Sequence, residues 1–212
     1  MEMIKLDGVC KSFGGLTLFE SIDYEFHKGK IYGVVGPNGS GKSVLFKMIC
    51  GFIFPDQGKI FVAGEEVGTK KNRFPESVGI IIDGPGYLPH RTGFENLKDL
   101  SLINNNITDT DIRESMVKVG LDPYTSQKVK HYSLGMKQKL AIAQAIMEDQ
   151  QVLILDEPFN ALDEDSVEKV REVLRSSREE GKTIVITSHI KEDISVLCDE
   201  VVKINGNKLT KI

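Results

Sequence analysis

The pattern of hydrophobic and polar residues divides the chain into three parts, and the first part predicts strands. Residues 22–26 (IDYEF) alternate between apolar and polar side chains, which is typical of a half-buried strand. A turn at 27–30 separates them from the continuous apolar run IYGVV at 31–35. Two more short apolar runs, 58–63 and 78–82, predict further strands. A glycine-rich loop follows residue 35, and then a helix over 42–50 with Gly51 at its C-terminal cap.

The middle part, residues 94–148, has helical periodicity throughout. ENLKDLSLI, DTDIRESMVKVG and the segment beginning SLGMKQ predict three successive helices, and Gly120 closes the second. Ser133 suits the N-cap of the third helix, and a serine and a glycine at a helix N-terminus make an anion site. The apolar residues of this third helix recur at helical spacing: Met136, Leu140, Ala143 and Met147.

The last part alternates strands and helices. Apolar runs at 152–155 and 183–187 predict buried strands, and helices are predicted over 164–180 and near 190–198. A terminal hairpin follows, with Asn205-Gly206 as its turn. Fully apolar strands that alternate with helices are typical of a parallel sheet covered on both faces. The sequence therefore predicts an α/β core interrupted by a helical lobe.

Composition and charge narrow the class of protein. The 212 residues are 40% hydrophobic and 27% charged, with a formal net charge of −4. No dense basic block is present, so no nucleic-acid partner is expected. One small basic cluster contains Lys70, Lys71 and Arg73, and it is interpreted as a solvated face. A second, with the same interpretation, contains Lys128, Lys130, Lys137 and Lys139.

The cysteines and the hydropathy point to a cytosolic compartment. Cys10, Cys50 and Cys198 are isolated in sequence, which is typical of reduced, mostly buried thiols. The N-terminal residues lack the pattern of a signal peptide, and no apolar run is long enough for a membrane helix. We therefore expect a soluble chain whose membrane role, if it has one, comes through a partner.

The segment GPNGSGKS at 36–43 follows a predicted buried strand and opens a helix, and it fits the P-loop pattern. Its glycines let backbone N–H groups turn toward a phosphate without Cβ clashes. The lysine supplies a charge to the β and γ phosphates, and the last serine supplies a hard oxygen ligand for Mg²⁺. The predicted ATP-binding residues of this loop are Gly36, Pro37, Asn38, Gly39, Ser40, Gly41, Lys42 and Ser43.

A second group of candidate residues follows the later apolar strands. Asp156 ends the strand in QVLILDEP and can hold Mg²⁺, while Glu157 can accept a proton from the attacking water. His189 lies just past the strand TIVIT. From chemistry alone it is either a structural histidine or a donor to the γ-phosphate, and both interpretations stay open.

Together these motifs resemble the ATP-binding cassette (ABC) family, the nucleotide-binding subunits of ABC transporters. The matching motifs are the P-loop, the strand LILDEP, NALD at 160–163, TSHI around His189, and YSLGMKQ in place of the family signature LSGGQ. The resemblance implies an α/β P-loop NTPase fold: a RecA-like core with an antiparallel β-subdomain and an inserted helical subdomain. It also implies one domain over 1–212, with 1–83 and 149–212 forming the core and 84–148 the helical subdomain.

The resemblance also assigns roles to residues. Phe13 would stack on adenine, although a buried core position is the alternative for an aromatic near a strand end. Glu157 would be the catalytic base, and His189 would sense the γ-phosphate. Ser133, Gly135 and Asp163 would contact a second cassette, the first two through the ATP that it holds.

Two departures from the family pattern bear on these assignments. The signature has Leu134 in place of a glycine and Met136 in place of a glutamine, a form similar to cassettes of bacitracin and lantibiotic resistance. In VGIIIDGPGYLP at 78–89, Asp83 stands where the family usually has a glutamine that approaches Mg²⁺. Asp83 is therefore a candidate third metal ligand, beside Ser43 and Asp156. Its side chain is one methylene shorter than the glutamate often found in that branch.

The function implied is an ATPase subunit that powers a transporter. Its cofactors would be ATP and Mg²⁺, and its partners a separate transmembrane permease and a second cassette, identical or different. It would lie on the cytoplasmic face of the cell membrane. The form of the signature suggests peptide-antibiotic export or resistance as the function of that transporter.

Two other functions are alternatives to this one. One is a soluble cassette ATPase acting on ribosomes or nucleic acid, although such relatives usually carry two cassettes or a long coiled-coil insertion. The other is a P-loop GTPase, whose N-K-x-D motif has only an incomplete counterpart at residues 207–210.

Overall fold

The computed structural model describes residues 1–212, which form ten strands and six α-helices. The strands are β1 (Glu2–Phe13), β2 (Leu16–His27), β3 (Ile31–Val35), β4 (Gln57–Val62), β5 (Glu65–Glu66), β6 (Val78–Ile81), β7 (Val152–Leu155), β8 (Thr183–Ile186), β9 (Glu200–Asn205) and β10 (Lys208–Lys211). The helices are α1 (Lys42–Ile49), α2 (Gly93–Asn104), α3 (Asp109–Lys118), α4 (Leu134–Ile146), α5 (Glu164–Glu179) and α6 (Lys191–Leu197). No helix is both long and apolar enough to cross a bilayer.

The central sheet positions the candidate site. It has the order β10-β9-β3-β8-β7-β6, and every neighbouring pair is parallel except β10 and β9. Strands β3, β7 and β8 are buried along almost their whole length, as their apolar sequences predict. Because the carboxyl ends of parallel strands share one edge, the P-loop and residues 82–83, 156–157 and 187–189 all begin there.

A second, antiparallel sheet has the order β2-β1-β4-β5 and packs beside α1. Its buried side chains, among them Phe19 and Phe26, join one face of the central sheet in a core cluster of 22 residues. A separate cluster of 24 buried residues joins the other face of that sheet to the helical region. The predicted α/β core with an antiparallel β-sheet and a helical insertion is therefore confirmed.

The helical region is less continuous than its sequence pattern predicts. The three helices α2, α3 and α4 are present, and Gly120 follows the second with φ +78°. Residues 121–133, however, contain only one short 3₁₀ helix, Val129–His131, and an isolated bridge from Lys128 to Thr92. The prediction of helix throughout 94–148 is thus wrong for this connection, because Tyr132 and Val129 are buried there by tertiary packing and not by helical periodicity.

The terminal hairpin turns one residue later than predicted. Asn205 pairs with Lys208, so the turn residues are Gly206 and Asn207, with φ of +54° and +63°. Two successive positive φ values are what a type I′ turn requires, and glycine and asparagine both tolerate them.

The division into a core and a helical subdomain at residues 84–148 stays a prediction. Helix α4 lies inside the proposed subdomain, but its C-terminal end packs directly on β6 of the core. A Cβ at Gly79 of β6 would lie 1.9 Å from the carbonyl oxygen of Ala145, so only glycine permits this approach.

Candidate nucleotide-binding site

The P-loop has an anion-binding shape that depends on its glycines. Gly39 and Gly41 have φ of +77° and +100°, values that residues other than glycine rarely adopt. A Cβ at Gly41 would lie 2.8 Å from the buried ring of Phe19, so glycine is also needed for packing. Nζ of Lys42 donates to the carbonyl oxygens of Gly36 and Pro37, which holds the ammonium group inside the loop. Pro37, Asn38 and Gly39 are exposed, and Ser40 is half-buried with a buried Oγ that has no hydrogen-bond partner.

Asp156 lies at the centre of a compact set of oxygen atoms. Oγ of Ser43 donates to one carboxylate oxygen at 2.6 Å, and Oγ1 of Thr187 donates to the other at 2.6 Å. The backbone N–H of Glu157 in turn donates to Oγ1 of Thr187 at 2.9 Å. Thr187 was missed from the sequence, although its place as the first residue after β8 is a usable signal.

Glu157 has the environment expected of a general base. Its backbone has φ +53°, which is uncommon outside glycine. Burial raises the pKa of its carboxyl group, while His189 opposes that rise. Oε1 is buried without a hydrogen-bond partner and lies 3.1 Å from Nε2 of His189. The other oxygen accepts the backbone N–H of His189 at 3.2 Å.

A buried ion pair lies behind the loop that carries His189. Asp193 of α6 is 1% exposed and accepts a hydrogen bond from Arg171 of α5 at 2.6 Å. Its second oxygen accepts Oγ of Ser188 at 2.7 Å, and the same Oγ accepts the backbone N–H of Ile190 at 3.0 Å. The loop is therefore held on both sides of the histidine, a connection that the sequence did not reveal because residues 171 and 193 belong to different helices.

Phe13 lies at the tip of the β1–β2 hairpin and is 46% exposed. This exposure removes the core alternative considered for it. Nζ of Lys11 lies 4.9 Å from the ring centroid, which is within range of a cation–π contact. The ring is therefore available to stack on another planar group.

Asp83 is exposed and its carboxylate is paired in this structure. Oδ2 lies 2.5 Å from Nζ of Lys47, which is one helical turn beyond Ser43 on α1. Asp83 also has φ +58° and follows β6, whose Ile81 carbonyl accepts the N–H of Asp156. The carboxylate thus comes from the strand beside Asp156 but contacts Lys47.

The predicted signature residues lie at the N-terminus of α4. Oγ of Ser133 accepts the N–H of Met136 at 3.1 Å, which confirms Ser133 as the N-cap. A Cβ at Gly135 would lie 2.7 Å from the carbonyl oxygen of Ala161, so this glycine permits the helix to touch the NALD segment. Gln138 reinforces the contact by donating to the carbonyl oxygens of Glu157 and Pro158. Asp163 caps α5 through the N–H of Ser166 at 2.9 Å, and its hydrogen bonds to Ser166 lower its pKa.

Comparison with known proteins identifies the family. The family model described as ABC transporter matches residues 19–160. A Bacillus subtilis protein named as an uncharacterized ABC transporter ATP-binding protein, YybJ, is 45% identical over 207 residues, covering 98% of this chain and 94% of its own. The lantibiotic transport ATP-binding protein SrtF of Streptococcus pyogenes is 34% identical over 93% of this chain and 84% of its own. The bacitracin transport ATP-binding protein BcrA of Enterococcus faecalis is 36% identical over 93% of this chain and 64% of its own.

Solved structures agree at the level of the fold. The ATP-binding subunit of an ABC transporter superposes with a TM-score of 0.88 at 22% identity, over 99% of this chain and 89% of that one. A bacterial ABC transporter cassette, solved as a dimer, gives 0.84 at 22% identity over 99% and 98%. The molecule is thus a P-loop ATPase by fold and site. The chain belongs to the ABC transporter family and is an ATP-binding subunit that hydrolyses ATP to drive transport.

Proposed function

We propose that the chain binds Mg²⁺ and ATP at the edge formed by the P-loop, Asp156 and Glu157. The observation that carries the proposal is the oxygen cluster in which Ser43 and Thr187 both donate to Asp156 at 2.6 Å. A serine hydroxyl and a carboxylate are hard oxygen ligands, so Ser43 and Asp156 fit Mg²⁺. When bound, the ion supplies positive charge that neutralises the phosphates. Asp83 would join this set only by leaving Lys47.

Each residue around this oxygen cluster would have a separate role in binding ATP or in hydrolysis. Residues 36–43 would bind the phosphates through backbone N–H groups, with Lys42 adding its charge. Glu157 would take a proton from the attacking water through its carboxylate, whose Oε1 makes no hydrogen bond but lies 3.1 Å from Nε2 of His189. His189 would orient Glu157 and contact the γ-phosphate, and Phe13 would stack on the adenine.

We also propose that the working form is a pair of cassettes. The N-terminus of α4, with Ser133 and Gly135, is an anion site on a different element from the P-loop of its own chain. In a head-to-tail pair each α4 would contact the ATP held by the other molecule, and Asp163 would lie near that contact. ATP would favour the closed pair because it binds both halves only there, and hydrolysis would remove the bridge.

The pair would act with a separate transmembrane permease at the cytoplasmic face of the membrane. The region from Asp83 to Leu88 and the helical lobe would transmit the opening and closing of the pair to the permease. The names of SrtF and BcrA support a peptide antibiotic as the cargo class. Affinity purification from solubilised membranes tests the partner: recovery with a polytopic protein supports it, and recovery only with ribosomes would favour the soluble alternative.

Mixing two inactive variants tests the pair most directly. Glu157→Gln removes the base, and Ser133→Asp places a negative charge against the phosphate while keeping an N-cap residue. Each variant alone should be inactive. A mixed pair has one intact site, made of the P-loop side of the Ser133→Asp chain and the signature of the Glu157→Gln chain, so ATPase activity should return on mixing.

The control is a single chain that carries both substitutions, mixed with either variant. No combination then holds an intact site, so no activity should return. If the two single variants also fail to complement while both remain folded and bind ATP, the pairing of identical chains is wrong.

A further inference from the structure

The tip of the β1–β2 hairpin extends past the strand that supports its base. β1 pairs with β4 only as far as Cys10, which lies opposite Gln57. Beyond that point β1 pairs with β2 alone, as far as Phe13 opposite Leu16. An isolated two-stranded hairpin is at best marginally stable in water. The position of Phe13 therefore depends on contacts from outside the hairpin.

Asp56, the residue before β4, supplies such contacts. Its backbone N–H donates to the carbonyl oxygen of Cys10 at 2.9 Å. Its carboxylate accepts the backbone N–H of Ser12 at 2.7 Å and Nζ of Lys11 at 2.7 Å. The side chain thus continues the hydrogen bonding of β4 beyond the end of the strand. The three residues of β1 that directly precede Phe13 are all bonded to this one aspartate.

Asp56 also holds the cation that lies against the Phe13 ring. Nζ of Lys11 is 4.9 Å from the ring centroid, and an ammonium group over an aromatic face is attracted to it. The hydrogen bonds from Lys11 and from the N–H of Ser12 lower the pKa of Asp56, so its carboxylate is ionised at neutral pH. One carboxylate therefore anchors both the backbone before Phe13 and the charge beside its ring.

We propose that Asp56 is a positioning residue that sets the affinity of the chain for the adenine of ATP. It acts through Phe13 and does not contact the nucleotide. A ring that is already held in place loses less conformational freedom when a base stacks on it, so the anchored ring binds adenine more tightly. This role rests on the proposed function, because it requires that Phe13 stacks on adenine.

The proposal separates binding of the base from binding of the phosphates. Residues 36–43 make no hydrogen bond to Asp56, so the P-loop should bind phosphates equally well without it. Inorganic tripolyphosphate carries the phosphates of ATP but no base. Loss of Asp56 should therefore weaken binding of ATP and leave binding of tripolyphosphate unchanged.

Titration calorimetry without Mg²⁺, which prevents hydrolysis, measures both affinities. Asp56→Ala should weaken ATP binding about fivefold, part of the about tenfold or greater loss expected when Phe13→Ala removes the stack itself. Asp56→Asn keeps an acceptor for Ser12 and should give a smaller loss. Removal of a negative charge would by itself strengthen the binding of both anions, so weaker ATP binding cannot come from charge.

Steady-state hydrolysis with Mg²⁺ gives a second measurement. The base stacks alike before and during the reaction, so Asp56→Ala should raise KM for ATP and leave kcat unchanged. In a chain that already carries Phe13→Ala, Asp56→Ala should have no further effect on ATP affinity, because the two residues act through one contact.

Asp23 provides the matched control on the same strand pair. It is exposed, and its carboxylate accepts the backbone N–H of Gly8 in β1 at 2.8 Å, away from the hairpin tip. Asp23→Ala removes the same kind of bond between a carboxylate and β1. It should bind ATP and tripolyphosphate as the unsubstituted chain does.

The results distinguish failure of this role from failure of the proposed stacking. If Phe13→Ala lowers the preference for ATP over tripolyphosphate but Asp56→Ala does not, the role of Asp56 is wrong and the stacking stands. Equal weakening of both ligands by Asp56→Ala, or an undiminished effect in the Phe13→Ala chain, would also overturn the role. An unchanged preference in Phe13→Ala would contradict the stacking and the role of Asp56 together.

Discussion

The P-loop region and the N-terminus of α4 are both anion sites built on a helix, yet they differ in how far the chain completes them. In the first, Asp156 accepts two hydroxyl groups, and the loop of His189 is held from behind by the Arg171–Asp193 pair. In the second, Ser133 bonds only to its own helix, and the neighbouring Leu134 is 73% exposed.

The difference supports the proposal that one half of the nucleotide site is completed within the chain and that the other half is presented to a second cassette. Gly135 packs on Ala161 and Gln138 bonds to Glu157 and Pro158. The N-terminus of α4 is therefore connected by packing and hydrogen bonds to the segment that carries Glu157 in the same chain, although its proposed ligand would be held by another molecule. A change of contact at α4 can thus reach Glu157 through two short connections.

The largest effect is expected from Glu157→Gln. Loss of a general base should slow hydrolysis on the order of a hundredfold to ten thousandfold, while ATP binding by the P-loop is kept. Since hydrolysis would open the proposed pair, a dimer should accumulate with ATP, and size-exclusion chromatography would detect it. The exposed Glu114→Gln is the control and should change neither property. A Glu157→Gln chain that stays monomeric with ATP would count against the pair.

A slightly smaller effect is expected at the outward site. Ser133→Asp keeps a good N-cap, so the free energy of unfolding should change little, yet ATPase activity should fall on the order of a hundredfold or more because a carboxylate faces the phosphate. Ser133→Arg should also abolish activity, by blocking the contact. ATP binding, measured by equilibrium dialysis, should survive in both variants.

Ser133→Ala measures how much the cap at Ser133 contributes to stability. It removes the cap and should lower the free energy of unfolding by about 1 kcal/mol. If Ser133→Asp retained full hydrolysis in a population that contains no other chain, the site would be structural only, and the comparison between the two anion sites would fail.

The smallest expected effect is a dependence on pH. Burial raises the pKa of Glu157, so at a given pH more of this carboxyl is protonated than in an exposed glutamate. Only the ionised form accepts a proton from water, so hydrolysis at saturating ATP should decline on acidification at a higher pH than an ordinary glutamate would give. The residual activity of Glu157→Gln should lack this acid limb. An identical acid limb in that variant would assign the titration to another group.

Most residues of the candidate nucleotide site were predictable from short sequence motifs. The pattern GPNGSGKS depends on backbone conformation and on adjacent side chains, so Gly41, Lys42 and Ser43 could be assigned before any fold was known. Thr187 and the Arg171–Asp193 pair could not, because their partners are distant in sequence and meet only when the parallel strands and α5 pack. Asp83 shows the same limit: its position after β6 was predictable, but its pairing with Lys47 depends on where α1 lies.

The sequence by itself determined the order of strands and helices in the core, the P-loop and the cap at Ser133, because hydrophobic periodicity and glycine placement act over a few residues. Tertiary structure alone decided the approach of Gly135 to Ala161, the shape of residues 121–133 and the pairing of Asp83 with Lys47. Each of these depends on contacts between segments far apart in the chain, and packing, not local preference, selects such contacts.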